Sequence, residues 1–369
     1  MPTYRTTDVV TALRIDDESE MTLQLKDLNL FASGAFSNVY RGTVETASHR
    51  TSEVVIKKTW PRQKGLPLEV KILKKLNRLK HKNIVQKTCL ALVFEYIPLN
   101  LYQFLKQNNR RIGIMEVKMI VWQLFRGQFH LQRMDICHRD IKPQNLLFNA
   151  ETGLLKISDF GSSALDVKSS QQPSYHVTRY YRPPELLLGA RIYGPEIDVW
   201  SCGCVFGELL KGAVFLPGRN SSNQAELVFD LIGPPTNSDL KELKHSKSKY
   251  KEIIANYVPT TKGPYPNFQF LMSAASRTGV FTLHNNLITA QDMAESVAVL
   301  SKILVYSPLE RLSGHELLIS IFSQLFTSGA TRSNGQKIEA ITARDYMDVK
   351  IGDKTVTGSV ESVDHNENQ

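Results

Sequence analysis

The hydrophobic pattern changes period along the chain. From about residue 24 to 59 it is strand-like, with apolar and β-branched runs at Val39–Tyr40 and Val54–Ile56. The polar stretch Ala47–Glu53 reads as a turn between two strands. Residues 66–79 place Leu66, Val70, Leu73 and Leu76 at helical spacing, and Pro67 suits a first helical turn. Residues 91–97, ALVFEYI, read as a short buried strand. Beyond them the chain turns helical. Residues 116–134 form a long amphipathic segment, and 198–210 are apolar nearly all round, as in a central buried helix. Residues 1–23 read as a loose N-terminal arm, and 327–369 as a polar tail with a disordered end. Strands first and helices later give an α+β arrangement in two lobes, with no internal repeat.

Composition fits this picture and removes others. A chain of 369 residues at ~150 per domain carries two domains or one large one. With 42% apolar and 22% charged residues it is not disordered, collagenous or a disulfide mini-protein. Four cysteines, Cys89, Cys137, Cys202 and Cys204, are too few for a disulfide framework and point to a reducing compartment. The first twenty residues lack the apolar run of a signal peptide, and no stretch is long and apolar enough to span a membrane. The reading is cytoplasmic, with the nucleus left open.

The chemistry concentrates in HRDIKPQN, His138 to Asn145, followed fourteen residues on by Asp159–Phe160–Gly161. Phosphoryl transfer from ATP needs a carboxylate at the attacking hydroxyl, oxygen ligands for metal, and a cation on the phosphates. Asp140 can accept or orient the hydroxyl proton, and Lys142 can steady the transferred group. Asn145 and Asp159 can hold Mg²⁺ through hard oxygens. Upstream, Lys57 ends the strand motif VVIK and matches a lysine on the α- and β-phosphates. Glu69, twelve residues later on the helical segment, can pair with it.

In this order and spacing the motifs resemble a eukaryotic protein kinase, over roughly residues 24–326; Lys142 after HRD resembles the serine/threonine type. SYHVTRYYRPPELLLGA, CHRDIKPQNLL and DVWSCGCVFGELL resemble the CMGC group, and within it the glycogen synthase kinase 3 (shaggy) family. The resemblance implies a bilobal fold: an antiparallel-sheet N-lobe with one main helix (24–97) and a mainly helical C-lobe (98–326). It implies ATP and Mg²⁺ as cofactors and proteins as substrates, with no nucleic-acid or membrane partner. It also implies roles one by one. Gly34 would cradle phosphates. Val39, Val55 and Leu147 would enclose adenine, Phe94 would be the gatekeeper, and Glu95 and Ile97 would offer hinge backbone groups. Thr178 would touch Asp140, and Glu185 and Arg311 would form a buried pair. Tyr175, sixteen residues after Asp159, would be the phosphorylated tyrosine, with Arg179 and Arg182 as phosphate partners.

The chain departs from that family in several places, among them Phe94, where the family has a smaller aliphatic gatekeeper. The glycine loop reads Ala32-Ser33-Gly34-Ala35-Phe36-Ser37, keeping only the middle glycine, and Val55 replaces the usual alanine. The three basic positions that hold a primed substrate's phosphate are here Leu68, Arg139 and Ala164. Charged hydrogen bonds contribute ~1.5–3 kcal/mol each, so losing two weakens such recognition by ~10²-fold or more. Only six residues, QKTCLA, lie between Asn83-Ile84-Val85 and Leu92-Val93-Phe94-Glu95. They are too few for the usual hairpin: either one strand is lost, or this is a splice variant or gene model missing a segment. Residues 237–299 are about two dozen longer than the family pattern, which puts binding to the family's scaffolds in doubt. Two readings stand: an active, diverged kinase without strict need of priming, and a pseudokinase scaffold. The formal charge of +9 is local. Residues 50–87 hold twelve Lys or Arg against two acidic residues, and the rest of the chain is nearly neutral. The lysine run 241–251 reads as a solvated face.

Overall fold

β-branched and polar residues alternate through the first quarter of the chain, and there they build a sheet. The computed structural model describes residues 7–13, 19–33, 37–45, 51–59, 68–78, 87–88, 92–165, 167, 171–172, 177–244, 246–260, 265–268, 271, 288–320 and 329–351. Strands β1 (Thr7–Leu13), β2 (Glu20–Ser33), β3 (Ser37–Glu45), β4 (Thr51–Thr59), β5 (Lys87–Thr88) and β6 (Leu92–Glu95) pair antiparallel in the order β1-β2-β3-β4-β6-β5. Successive residues of a strand face opposite sides. On one side Ala12, Leu23, Leu25, Val44, Val54, Ile56 and Val93 form a core. On the other lie Val55 and Lys57, opposite Phe94 and Leu92. Where β2 bends, the register shifts between Lys26 and Asn29. A Cβ at Gly42 would lie 2.7 Å from the Lys26 carbonyl oxygen, so only glycine lets the strands approach there.

Two expectations fail in this lobe. The N-terminal arm is not all loose, because Thr7–Leu13 pairs with β2 along seven residues. Its β-branched run Val9-Val10-Thr11 suits a strand, and Ala12 reaches the sheet core. The six-residue connection does not erase the strand before β6. Lys87–Thr88 pairs with Phe94 and Val93, so a two-residue strand remains beside β6.

The helix predicted over 66–79 is α1 (Leu68–Arg78). Its Val70, Ile72, Leu73 and Leu76 are buried in a large cluster that joins Leu92 of β6 to the second lobe, apart from the core around Val54 and Ile56. That lobe contains α2 (Leu101–Gln107), α3 (Ile114–Arg133), α4 (Pro184–Leu187), α5 (Glu196–Lys211), α6 (Ser221–Ile232), α7 (Asn237–Glu242), α8 (Lys247–Ala255), α9 (Ala290–Ile303), α10 (Gly314–Ser320) and α11 (Ala343–Ile351). Short strands β7 (Leu99–Asn100), β9 (Leu146–Phe148) and β10 (Leu155–Ile157) form one small sheet, and β8 (Ile136–Cys137) pairs with β11 (Ala164–Leu165). As the apolar pattern requires, α5 is buried along nearly its whole length. Lys247 and Lys251 of the lysine run are exposed on α8.

Two buried ion pairs hold this lobe. Arg311 donates to both Glu185 oxygens at 2.8 and 2.7 Å and to the Glu196 carbonyl at 2.9 Å. Removing one partner of such a pair strands a buried charge and costs about 3–5 kcal/mol. Urea unfolding of Arg311→Ala should show a loss of that size. The second pair corrects the polar tail. Arg332, 5% exposed, donates to Glu116 at 2.6 and 2.9 Å and to the carbonyls of Ala150 and Glu151. Further on, Arg126 of α3 pairs with Asp345 of α11. The segment 329–351 is therefore packed on the lobe, where charged anchors join buried Ala340, Ile341 and Val349. Residues 352–369, including the end read as disordered, lie outside the described residues.

Candidate active site

Lys57 stands on the inward face of β4, and Glu69 in the first turn of α1. The Lys57 ammonium donates to both Glu69 oxygens at 3.0 and 3.2 Å and to Asp159 Oδ1 at 2.9 Å. Asp159 has left-handed backbone, φ 63°, at the turn after β10. A Cβ on Gly161 would lie 3.3 Å from Asp159 Oδ1 and 3.7 Å from Lys57 Nζ, so the glycine keeps this cradle open. Burial opposes both charges, but their attraction prevails. Lys57 is raised by Glu69 and Asp159 against the burial that lowers it. Asp159 is lowered by Lys57 against the burial that raises it.

The loop 138–145 links β8 to β9 and is held from below by Asp198 of α5. Its carboxylate accepts from the backbone N–H of His138 at 2.6 Å and of Arg139 at 2.9 Å. Burial pushes the Asp198 carboxyl up; His138 and these backbone donors pull against it. Arg139 is thereby fixed at φ 67°, a strained conformation for a side-chain residue. The His138 ring packs on Phe160 at 5.0 Å, and Phe160 shares a buried cluster with Leu73.

This frame aims Asp140. Its Oδ1 accepts from Thr178 at 2.6 Å, and its Oδ2 from Lys142 at 2.7 Å and Asn145 at 2.8 Å. Lys142 also donates to Thr178 at 3.2 Å. The Asn145 amide nitrogen donates to the Asp140 carbonyl as well, at 2.9 Å. That fixes the amide orientation and leaves its oxygen as the atom available to a cation. Asn145 oxygen and Asp159 carboxylate are hard donors, so this pair fits a divalent ion of the Mg²⁺ type.

The apolar part of the cleft follows from strand register. Val39 lies opposite Lys57, and Val55 opposite Phe94, so all four share the inward face. Leu147 is the one outward residue of β9, between buried Leu146 and Phe148. Glu95, in the segment leading to Ile97, is held by Lys156 at 2.6 Å, and the Tyr96 N–H donates to the Glu53 carbonyl at 3.3 Å. At the outer edge Phe31 meets the Tyr96 ring edge-on at 6.5 Å, and Arg41 lies over Tyr96 at 3.9 Å. Gly34 and Tyr175 lie outside the described residues.

The phosphate-binding positions look different once folded. Leu68 is 46% exposed, and Ala164 belongs to a buried cluster with Cys137, Val177 and Leu186. Arg139 is 7% exposed and donates inward, to Ser162 and Ser163 carbonyls at 2.6 and 3.3 Å and to Gln172 at 3.1 Å. Arg179 donates to the carbonyls of Gly218 and Arg219, and Arg182 to the carbonyl of Val177. Burial and then the Arg179 charge lower the Arg182 pKa. Both guanidinium groups thus bind backbone oxygens here.

Several contributors escaped the sequence reading. Asp198 lies in the quoted DVWS block, but nothing in that string says it caps a loop sixty residues earlier. Lys156, Gln172 and Phe31 carried no signal beyond their neighbours. A model of the protein kinase domain family matches residues 26–322. The chain is also similar to the protein named "Glycogen synthase kinase 1" of Pyricularia oryzae. The two are 29% identical over 339 residues, which cover 88% of this chain and 78% of that protein.

Proposed function

The chain belongs to the protein kinase domain family, and from that premise we propose that it moves the γ-phosphoryl group of MgATP to serine and threonine hydroxyls of proteins, without strict need of a primed substrate. ATP, a divalent metal and protein substrates go with the family. The observation that carries the finer reading is the Asp140 carboxylate, held by Thr178, Lys142 and Asn145 while Lys57 is paired with Glu69 and Asp159. Both halves of the machinery are assembled in one structure.

In this reading Asp140 takes or orients the proton of the substrate hydroxyl. Lys142, bonded to Asp140, places a positive charge where the phosphoryl group passes. Lys57 binds the α- and β-phosphates and is itself positioned by Glu69. Asn145 and Asp159 would hold Mg²⁺, which would supply positive charge to neutralise the phosphates. Val39, Val55 and Leu147 exclude water around the base, and backbone groups of Glu95 and Ile97 bond its edge. Gly34 and Tyr175 keep their sequence-based roles, phosphate contact and modification site. The lobes are assigned as 24–97 and 98–326. Among the described residues no helix is long and apolar enough to cross a membrane; a cytoplasmic place of action, with the nucleus open, belongs to the same proposal. The pseudokinase alternative has against it that Lys57 is paired with Glu69 and Asp159, and Asp140 is held by Thr178, Lys142 and Asn145.

The claim about priming rests on Leu68, buried Ala164 and an Arg139 engaged with the protein's own carbonyls and Gln172. Peptides with a phosphate four residues C-terminal to the acceptor should have kcat/KM close to that of their unphosphorylated forms. A preference of about 100-fold or more for the primed peptide would overturn it.

A further inference from the structure

The helix that carries Glu69 packs against both Leu92 of the sheet and the opposite lobe. Among the described residues, the core cluster of Val54, Ile56 and Val93 contains no residue of α1. The apolar face of α1 shares a cluster with Leu92 of β6 and with Phe160, Ile136 and Leu131 of the other lobe. At the last turn of α1 the Lys75 ammonium donates to the Met134 carbonyl at 2.7 Å. Met134 is the C-cap of the twenty-residue α3, whose final carbonyls carry the negative end of the helix dipole. A lysine there makes a charge-assisted hydrogen bond at a site that favours positive charge.

Six residues separate Glu69 from Lys75, roughly 9 Å along the helix axis and about 240° around it. One end of α1 thus points at Lys57 and the other at α3. Among the described residues, Lys87 and Thr88 of β5 form the edge of the sheet beyond β6. We propose that Lys75 is a positioning residue for phosphoryl transfer. By mooring α1 to the end of α3, it holds Glu69 where Lys57 and Asp159 need it. Lys57 then becomes the link across the cleft: it rides on the sheet, Glu69 rides on the helix moored to α3, and Asp159 rides on the other lobe.

This rests on the reading of Lys57 and Glu69 as parts of the catalytic machinery, and the experiment separates the two. Steady-state transfer to an unprimed protein substrate is measured for the full chain and for Lys75→Met, Lys75→Gln and Lys75→Arg, with thermal unfolding of each. Lys75→Met and Lys75→Gln should lower kcat on the order of tenfold, the effect of one charged hydrogen bond, with little change in protein-substrate KM. Lys75→Arg, which keeps a cationic donor, should restore most of it. In a Glu69→Gln background Lys75→Met should add no further loss, because both act through one ion pair. Full kcat in both neutral variants, or an additive loss in the Glu69→Gln background, overturns the inference. Two neutral variants keep the test standing if one fails to fold. No transfer by the wild-type chain would instead overturn the proposed activity itself.

Discussion

Asp140→Asn lowers turnover by roughly 10²–10⁴-fold, the usual contribution of a positioned general base, while thermal unfolding stays near wild type. The geometry makes this substitution unusually clean. Asp140 Oδ2 accepts from Lys142 and Asn145, and Oδ1 accepts from the Thr178 hydroxyl. An asparagine can keep its oxygen toward Lys142 and Asn145. Its amide then donates to Thr178, whose hydroxyl accepts as readily as it donates. The loop, still capped by Asp198, keeps its shape, and only the basic oxygen is lost. Turnover within a few-fold of wild type would mean that Asp140 does not act on the substrate proton.

Lys57→Met acts on both activity and stability. Removing a cation aimed at the phosphates should cost about 10²–10³-fold in kcat, as for other preorganised electrostatic groups. It also leaves Glu69, which is buried, without the lysine that neutralises it. Breaking a pair from one side in this way destabilises by about 3–5 kcal/mol. The pH dependence has a defined sign. Lys57 is raised on folding, so its contribution is complete below the ordinary lysine pKa and disappears as pH rises through its raised value. Asp159 is lowered, so its contribution is complete above the ordinary aspartate pKa and disappears as pH falls through its lowered value. The stability difference between wild type and Lys57→Met should therefore be flat from about pH 5 to 9 and shrink outside that window. A difference that peaked sharply at neutral pH would contradict the pairing.

Much of the site was legible because its residues are close in sequence or follow a fixed spacing. His138 to Asn145 is one loop, Asp159 follows it across a hairpin, and the twelve residues from Lys57 to Glu69 bridge a strand and a helix. Thr178 on Asp140 and the Glu185–Arg311 pair also came out as the resemblance implied. What stayed hidden depends on contacts between distant segments. Arg332 looked like one charge in a polar tail until Glu116, more than two hundred residues earlier, gave it a buried partner. Lys75 was one of twelve basic residues between 50 and 87 until the end of α3 met it. The first strand was missed because its neighbours are polar, although Val9, Val10 and Thr11 suit a strand. The short connection was judged by the length of the usual hairpin, yet a two-residue strand remains beside β6. Arg139 shows the converse: its position implied a surviving phosphate contact, yet folding turns its guanidinium onto Ser162, Ser163 and Gln172.

The central claim, an active serine/threonine kinase, is tested most directly by incubating the full chain with γ-labelled ATP, Mg²⁺ and an unprimed basic protein. The labelled product is then hydrolysed to its amino acids, with Asp140→Asn run in parallel. The account predicts label on phosphoserine and phosphothreonine of the substrate, dependent on Mg²⁺ and nearly absent with Asp140→Asn. Equal label from wild type and Asp140→Asn would contradict it.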